Sequence, residues 1–320
     1  MRRRIALLYC LVLFAESCLA QSWPAKPINL LVSSAPGAGV DVFARILADR
    51  LKTRLDQTVV VENRPGASGM LAAGQAVKAA PDGYTLFLMP NTLVIAPYVL
   101  SKGAATVNVI TELAPVVMPV YTLMVLAVNG KFSAGSVGEL LEIAKKQPGL
   151  PYTGGDNGSP MHVLGEQFRK AAGLDLVHVP YKGVAQAVTA AIAGQVNVIW
   201  MPTSGNLRHF SSGALRVLAT SSAKRTALLP DTPTMVELGY KEMDAVAWFG
   251  LLAPLATPAP IIARVNREVN AVLALPDVRA GLTSTGYVPE GGTPEALAAL
   301  MRVDDTRYRK LVAEHGIRAD

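Results

Sequence analysis

Beginning at Ile28, short β-rich runs alternate with stretches of helical periodicity, and the changeovers from strand to helix carry loops rich in glycine. Such a pattern confines the chain to sheets of parallel strands covered by helices, because neighbouring parallel strands need a crossover and a helix supplies it. Two sets are visible. In the first, Ile28 to Ser33, Thr58 to Glu62 and Tyr84 to Met89 read as strands. Between them Val42, Phe43, Ile46, Leu47, Leu51 and Leu55 fall on one helical face, and the small-residue run Met70 to Ala79 gives a second helix. The second set follows Leu113 to Asn129, a long β-prone stretch with Pro115 and Pro119 that reads as a crossing between lobes. There Ser136 to Glu139 opens a helix as a capping box. Strands are expected at Tyr152-Thr153, Leu176 to Val179 and Val196 to Met201, with helices over Met161 to Ala172 and Val184 to Ala193. Leu215 to Thr220 is expected to carry the chain back, and Ala245 to Ala253 to form a further buried strand. The remainder reads as helical and ends near His315-Gly316. The expected organisation is an α/β protein of two lobes, residues 21–121 with 222–320 and residues 122–221. Two chain crossings between them would make a hinge.

Ahead of this lies an export signal. Arg2, Arg3 and Arg4 precede the apolar run Ile5 to Ala15, which at about 11 residues is shorter than the roughly 20 of a membrane span. The small residues Cys18 and Ala20 place cleavage after Ala20, so residues 1–20 are expected to be removed and the mature chain to act in the periplasm. Acylation of Cys18 is an alternative that the charged Glu16 before it disfavours. Both cysteines, Cys10 and Cys18, leave with the signal, so neither a disulfide nor a cysteine metal site is expected afterwards. Stability must then come from an apolar core, and 51% hydrophobic against 17% charged residues can supply one. Loss of the signal lowers the formal charge from +6 to +4, and no basic run with interleaved aromatics points to nucleic acid.

The chemistry is expected at three glycine-rich segments, each after a strand and before a helix: residues 35–41, 66–69 and 154–159. A helix N-terminus offers unpaired N–H groups and partial positive charge, and glycine admits a ligand to the backbone. In open α/β sheets ligands lie at the carboxyl ends of the strands, where these loops would gather. A small anion could then be held without a fixed countercharge. Enzyme motifs are missing: no Gly-Lys-Ser/Thr follows a glycine loop, and no Gly-x-Ser-x-Gly occurs. His162, His178, His209 and His315 show no metal-ligand spacing, so no metal and no cofactor are expected. A dinucleotide reading competes, since Gly37-Ala38-Gly39 follows a strand and Glu62 ends the next, but Val42 stands where the third glycine belongs.

The chain resembles the tripartite tricarboxylate transporter substrate-binding proteins, also called Bordetella uptake gene proteins, over nearly its whole mature length. The resemblance is carried by Trp23-Pro24-Ala25-Lys26-Pro27-Ile28, Pro36-Gly37-Ala38-Gly39-Val40-Asp41, Val60-Val61-Glu62-Asn63-Arg64-Pro65-Gly66-Ala67 and Ala79-Ala80-Pro81-Asp82-Gly83-Tyr84-Thr85-Leu86. It continues through Asn157-Gly158-Ser159-Pro160-Met161-His162, His178-Val179-Pro180-Tyr181-Lys182-Gly183, Leu229-Pro230-Asp231-Thr232-Pro233-Thr234 and Trp248-Phe249-Gly250-Leu251. It implies a type II periplasmic-binding-protein fold, with two Rossmann-like lobes and carboxylate capture by loops of both, and membrane permease subunits as partners.

Carried over by position, the pocket would be formed in the first lobe by Pro36, Gly37, Ala38, Gly39, Val40, Asp41, Ala67, Ser68 and Asn91. The second would contribute Thr153, Asn157, Gly158, Ser159, His162, Tyr181 and Lys182, with Pro202 and Thr203 at the far wall. Asp41 reads as a helix-start residue that positions its loop. Two departures from the family stand out: Ala38 replaces a usual glycine, and Ile199-Trp200-Met201-Pro202-Thr203 lacks the acidic or amide residue common there. Without that carboxylate an α-amino group has no counter-charge, so a di-, tri- or aromatic carboxylate is expected rather than an amino acid. The expected function is that of a monomeric binding protein for transport, with no turnover. A ligand-presenting co-receptor for a membrane sensor is the alternative. Gly158→Val is expected to abolish binding and leave the fold intact.

Overall fold

The computed structural model describes residues 23–101 and 105–318; the expected signal over residues 1–20 lies outside them. The first half builds as the periodicity predicts. Strand β1 (Ile28–Val32) runs into α1 (Gly39–Leu55), β2 (Val59–Asn63), α2 (Met70–Lys78) and β3 (Thr85–Pro90). β1 lies between β2 and β3, parallel to both. α1 buries Val40, Phe43, Leu47, Leu51 and Leu55 against the sheet, and Val42, assigned to that face by spacing, is exposed instead. Next come α3 (Thr92–Val99), which carries Pro97, and the single turn α4 (Val109–Glu112).

β4 (Leu113–Asn129) is one 17-residue strand, and its neighbours change between Leu123 and Met124. Up to Leu123 it pairs with β9 (Val246–Pro254) and with β10 (Val288–Pro289); from Met124 it pairs with β7 (Val198–Pro202) and, from Val125, with β8 (Leu215–Thr220). Pro115 and Pro119 coincide with register shifts against β9, where a residue without N–H costs no ladder bond. With β5 (Leu150–Thr153) and β6 (Leu176–His178), the strand order β2-β1-β3-β9-β4-β7-β5-β6 therefore passes through two parallel groups joined by antiparallel β9 and β4.

The second group holds α5 (Val137–Lys146), β5 (Leu150–Thr153), α6 (Pro160–Ala171), β6 (Leu176–His178), α7 (Val184–Ile192) and the short α8 (Leu207–Ser211). Ser136 caps α5 by accepting from Glu139 N–H at 3.1 Å. The Glu139 carboxylate reaches back to Gly135 N–H at 2.6 Å, one residue beyond the usual capping-box partner. After β9 come α9 (Ala259–Leu273), α10 (Pro276–Ser284) and α11 (Pro294–His315).

Two sets of apolar clusters follow the two strand groups. One is built on β1, β3, β9, α1 and α9, with a companion around α2, α3 and Trp248. The other is built on β5, β7, α5 and α6, with a companion around α7. Trp200 is buried in the latter, its ring edge-on to Phe168, so it is a packing residue. Met235, Met243 and Ala245 also lie in that second cluster. A further small cluster joins the groups, with Val163 of α6 packed against Tyr308, Leu311 and Val312 of α11.

Candidate ligand site

The first loop is held by Asp41. As the third residue of α1 it is buried, and its carboxylate folds back to accept from Gly37 N–H (2.8 Å), from Arg45 (3.0 and 3.1 Å) and from the Asn63 amide (2.9 Å). Burial is the largest influence on this carboxyl and would raise its pKa. The bonds from Arg45, Gly37 and Asn63 together outweigh burial and hold it below the usual 3.8. Asn63, at the end of β2, also donates to Ser34 O at 3.0 Å, so it stitches one loop to the neighbouring strand. Asn63 is absent from the expected site; its place in the Glu62-Asn63-Arg64 motif is the sequence signal for it.

This bracing decides which backbone donors remain open. Gly37 N–H is taken by Asp41, and Ala38 N–H bonds Ala35 O at 3.3 Å. Among the described residues the N–H groups of Gly39, Val40 and Asp41 have no acceptor, as befits the first turn of a helix whose Ala38 cap offers no side chain. Pro36, Gly37 and Gly39 are exposed. The open anion donors thus belong to residues 39–41 rather than to the two glycine-loop amides before them.

The second loop, Gly66 to Gly69, has four consecutive residues with positive φ, at 129°, 47°, 52° and 91°. Ala67 and Ser68 adopt this left-handed form without being glycine, at a cost of about 1–2 kcal/mol each. Their side chains are exposed. A Cβ on Gly69 would stand 3.1 Å from Ser33 Cβ, so this loop leans directly on the first one. Asn91, after β3, is buried and occupied elsewhere. Its N–H bonds Trp248 O at 3.0 Å and its amide donates to Val246 O at 3.3 Å, so its polar groups are spent on β9. Glu62 bonds Asn29, Arg64 and Gln75, so it is not free to receive a ribose.

On the other strand group, the β5–α6 loop satisfies most of its own polar groups. Ser159 caps α6, accepting from His162 N–H (3.2 Å) and donating to Gly154 O (2.8 Å). Gly158 N–H donates to His162 Nδ1 at 3.0 Å, which fixes the His162 proton on Nε2. His162 stacks on His178 at 3.8 Å between centroids, and Asn157 meets His178 Nδ1 at 3.2 Å. Burial and the neighbouring His162 push the His178 imidazole down to about 3, so the stacked pair is neutral. Thr153 is buried beneath the loop and takes a long bond from Gly155 N–H (3.4 Å). Asp156 accepts from Gly183 N–H (2.9 Å) and Tyr181 N–H bonds Gly155 O (3.1 Å), welding this loop to the one after β6. Tyr181 is half-buried and Lys182 exposed beside it.

These contacts correct the expectation for Gly158. Its N–H is already spent and its φ is 74°, so valine there strains the backbone and disturbs the His162 bond. The variant acts on the fold as well as on any ligand. The far wall differs too: Thr203 is buried and bonds Thr122 (2.9 Å) and Gly286 O (2.8 Å), while Pro202 closes β7 beside it.

The two strand groups meet at Gly39. A Cβ on Gly39 would stand 3.9 Å from Ser204 Oγ of the β7–α8 loop and 3.1 Å from the Tyr287 hydroxyl. The open end of α1 therefore faces a loop of the other group. Arg45 of α1 and Arg64 after β2 are already paired, with Asp41 and with Glu62. Among the described residues no cluster of His, Cys, Asp or Glu could hold a metal ion, and no helix is long and apolar enough to cross a membrane. A negative guest at this place would be met by backbone N–H groups and a helix dipole.

Residues 43–317 match the tripartite tricarboxylate transporter family receptor, TctC. Among characterised sequences, the protein BugT of Bordetella pertussis is 35% identical, over 93% of this chain and 91% of its own. The structure described as that of a periplasmic transporter is 33% identical with a TM-score of 0.84, covering 93% of this chain and all of the other. An R. palustris protein solved with adipate is 28% identical with a TM-score of 0.83, over 92% and 99% of the two chains. MatC of Rhodopseudomonas palustris, solved with bound malate, is 27% identical with a TM-score of 0.78, over 91% and 100%. These likenesses, with the two strand groups, give the two-lobed fold of periplasmic binding proteins, and the chain belongs to the tripartite tricarboxylate transporter receptor family.

Proposed function

We propose that this protein is an exported, monomeric solute-binding protein. It captures a small organic carboxylate between its lobes and delivers it, without chemical change, to the membrane permease of a tripartite tricarboxylate-type transporter. The observation that carries the reading is the open first turn of α1, whose Gly39 to Asp41 N–H groups have no acceptor among the described residues and whose Gly39 faces Ser204 of the other strand group. Adipate and malate in relatives of the same fold support the ligand class. Each hydrogen bond to a charged group contributes about 1.5–3 kcal/mol, so four or five donors offset desolvation and approach the ~8 kcal/mol of micromolar binding. In this reading the lobes divide where β4 changes partners, at Leu123–Met124, and again at Ala245–Val246, later than the division at 222 expected from sequence.

The ligand is a di-, tri- or aromatic carboxylate rather than an amino acid, because Ile199 to Thr203 offers no carboxylate to an ammonium group. Thermal unfolding of the mature protein with adipate, malate, citrate, benzoate, aspartate and glutamate tests this. An acid present at 100 times its Kd should add about 2.7 kcal/mol of stability. Stabilisation by aspartate or glutamate above the others would overturn the preference, and stabilisation by none of the acids would overturn the carboxylate reading itself.

A further inference from the structure

Tyr287 lies in the turn between α10 and β10, outside the residues that the sequence assigns to the pocket. Tyr287 is 2% exposed, its ring packed among Phe43 and Phe249 with centroids 6.2 and 5.9 Å away. Its hydroxyl leaves that apolar setting to donate to Gly39 O at 2.8 Å. Gly39 opens α1, so this carbonyl also receives an intrahelical bond, from Phe43 N–H, next after the one from Val42 N–H to Ala38 O at 3.0 Å. Ser204 Oγ lies beside the same glycine: a Cβ on Gly39 would stand 3.9 Å from it and 3.1 Å from the Tyr287 hydroxyl. Ser204 is itself tied down: its N–H donates to Thr122 Oγ1 at 2.9 Å, Thr122 meets Thr203 at 2.9 Å, and Thr203 donates to Gly286 O at 2.8 Å. Gly286 admits no side chain, since a Cβ would fall 2.3 Å from Thr203 O, and this close approach sets Tyr287 next to the β7–α8 loop.

We propose that Tyr287 is a positioning residue for the ligand site: through Gly39 O it fixes the direction of the open N–H groups of α1, and its own turn, held by Thr203 on Gly286 O and by Gly205 N–H on Thr285 O at 2.9 Å, ties that direction to the β7–α8 loop of the other lobe. The assignment rests on the carboxylate reading for its effect on affinity, but its effect on α1 stands independently. Thr122 lies one residue before the point where β4 changes partners. The bonded chain therefore runs from the strand crossing through the Gly286–Tyr287 turn to the anion-facing end of α1. A shift of the β7–α8 loop against α1 must break the Thr203–Gly286 and Gly205–Thr285 bonds or carry Tyr287, and Gly39 with it.

The test uses Tyr287→Phe, which keeps the ring and its packing, and Thr203→Val, which keeps the side-chain shape and removes the hydroxyl that holds Gly286 O. Tyr98→Phe, which loses a hydroxyl remote from α1, serves as the control. The ligand-free readout is NMR-detected hydrogen exchange of the full mature chain. Val42 and Phe43 amides should exchange about tenfold faster in Tyr287→Phe, and by a smaller factor in Thr203→Val, with α9 and β3 amides unchanged. Titration with adipate and malate is the second readout, and affinity for whichever acid the wild type binds should fall about tenfold in Tyr287→Phe while Tyr98→Phe stays at wild-type level. Unchanged exchange at Val42 and Phe43, acceleration spread evenly over the molecule, or wild-type affinity in Tyr287→Phe would each overturn the proposal. Wild-type protein that binds neither acid would count against the carboxylate reading, while the exchange data would still decide the role of Tyr287.

Discussion

Asp41 and His178 show how burial is answered differently by two ionisable groups of one site. Asp41 keeps its charge because Arg45, Gly37 and Asn63 all donate to it, and its carboxyl lies below the usual value. A depressed acid contributes stability that is complete above its unfolded value and disappears as the pH falls through its folded one. Asp41→Ala, which strands Gly37 N–H and the Asn63 amide, should cost about 2–3 kcal/mol at neutral pH in urea unfolding. His178 has no such partners and gives up its charge. Its imidazole is neutral in the fold down to about 3, whereas in the unfolded chain it protonates near its ordinary 6.5. The contribution to stability is therefore full above about 6.5 and drains away as the pH falls from there toward 3. The imidazole resonances of His178 should not titrate at pH 5 in the folded protein; a midpoint near 6 would refute the stacked, neutral arrangement. From sequence, Asp41 could be read as a helix-start anchor because its place near the N-terminus of α1 is a local matter. The His162–His178 stack could not, since the partners sit sixteen positions apart on different elements and only the β5–β6 pairing brings them together.

At the level of elements, most strands and long helices were legible within a residue or two, because each carries its own period and its own punctuation. The failures have physical causes. α3 (Thr92–Val99) is apolar on nearly every side and holds Pro97 in its last turn, so neither a hydrophobic face nor a stop signal announces it. β10 is two residues long and exists only through its pairing with Val120 and Tyr121 of β4. The glycine loops were found, but not which of their N–H groups stay open, because that depends on side chains such as Asp41 and His162 folding back onto them. α11 supplies a prediction of its own. It is moored to β9 by Asp304, which accepts from Trp248 Nε1 at 2.7 Å, and burial pushes that carboxyl above its usual value. A raised acid contributes stability present at low pH and lost as the pH rises through its folded value. Asp304→Asn keeps an acceptor for the indole and removes the buried charge, so urea unfolding at neutral pH should show a variant at least as stable as the wild type; a large loss would refute this account.

For the whole molecule, the strand-group boundary is a narrow seam. Ser221 Oγ donates to Met124 O (3.1 Å) and Ala245 O (2.6 Å), joining both crossings with one hydroxyl. Ser221→Ala should weaken that seam by about 1 kcal/mol and enlarge the ligand-free radius of gyration in small-angle scattering, with the ligand-bound radius unchanged. Equal radii for variant and wild type in both states would show that Ser221 has no part in closure. The proposed division puts the second crossing at Ala245–Val246 rather than at 222, since residues 222–245 are irregular and carry no periodic signal, while Met235 and Met243 pack in the second core.

β4 itself has a further consequence. Since this one ribbon supplies neighbours to both halves of the sheet, a cut within residues 113–129 would leave each fragment with a truncated central strand and open edges. Neither half is a detachable module. Synthesis must therefore run well past the midpoint of the chain before either half can complete its own interior, and heat should melt the two together.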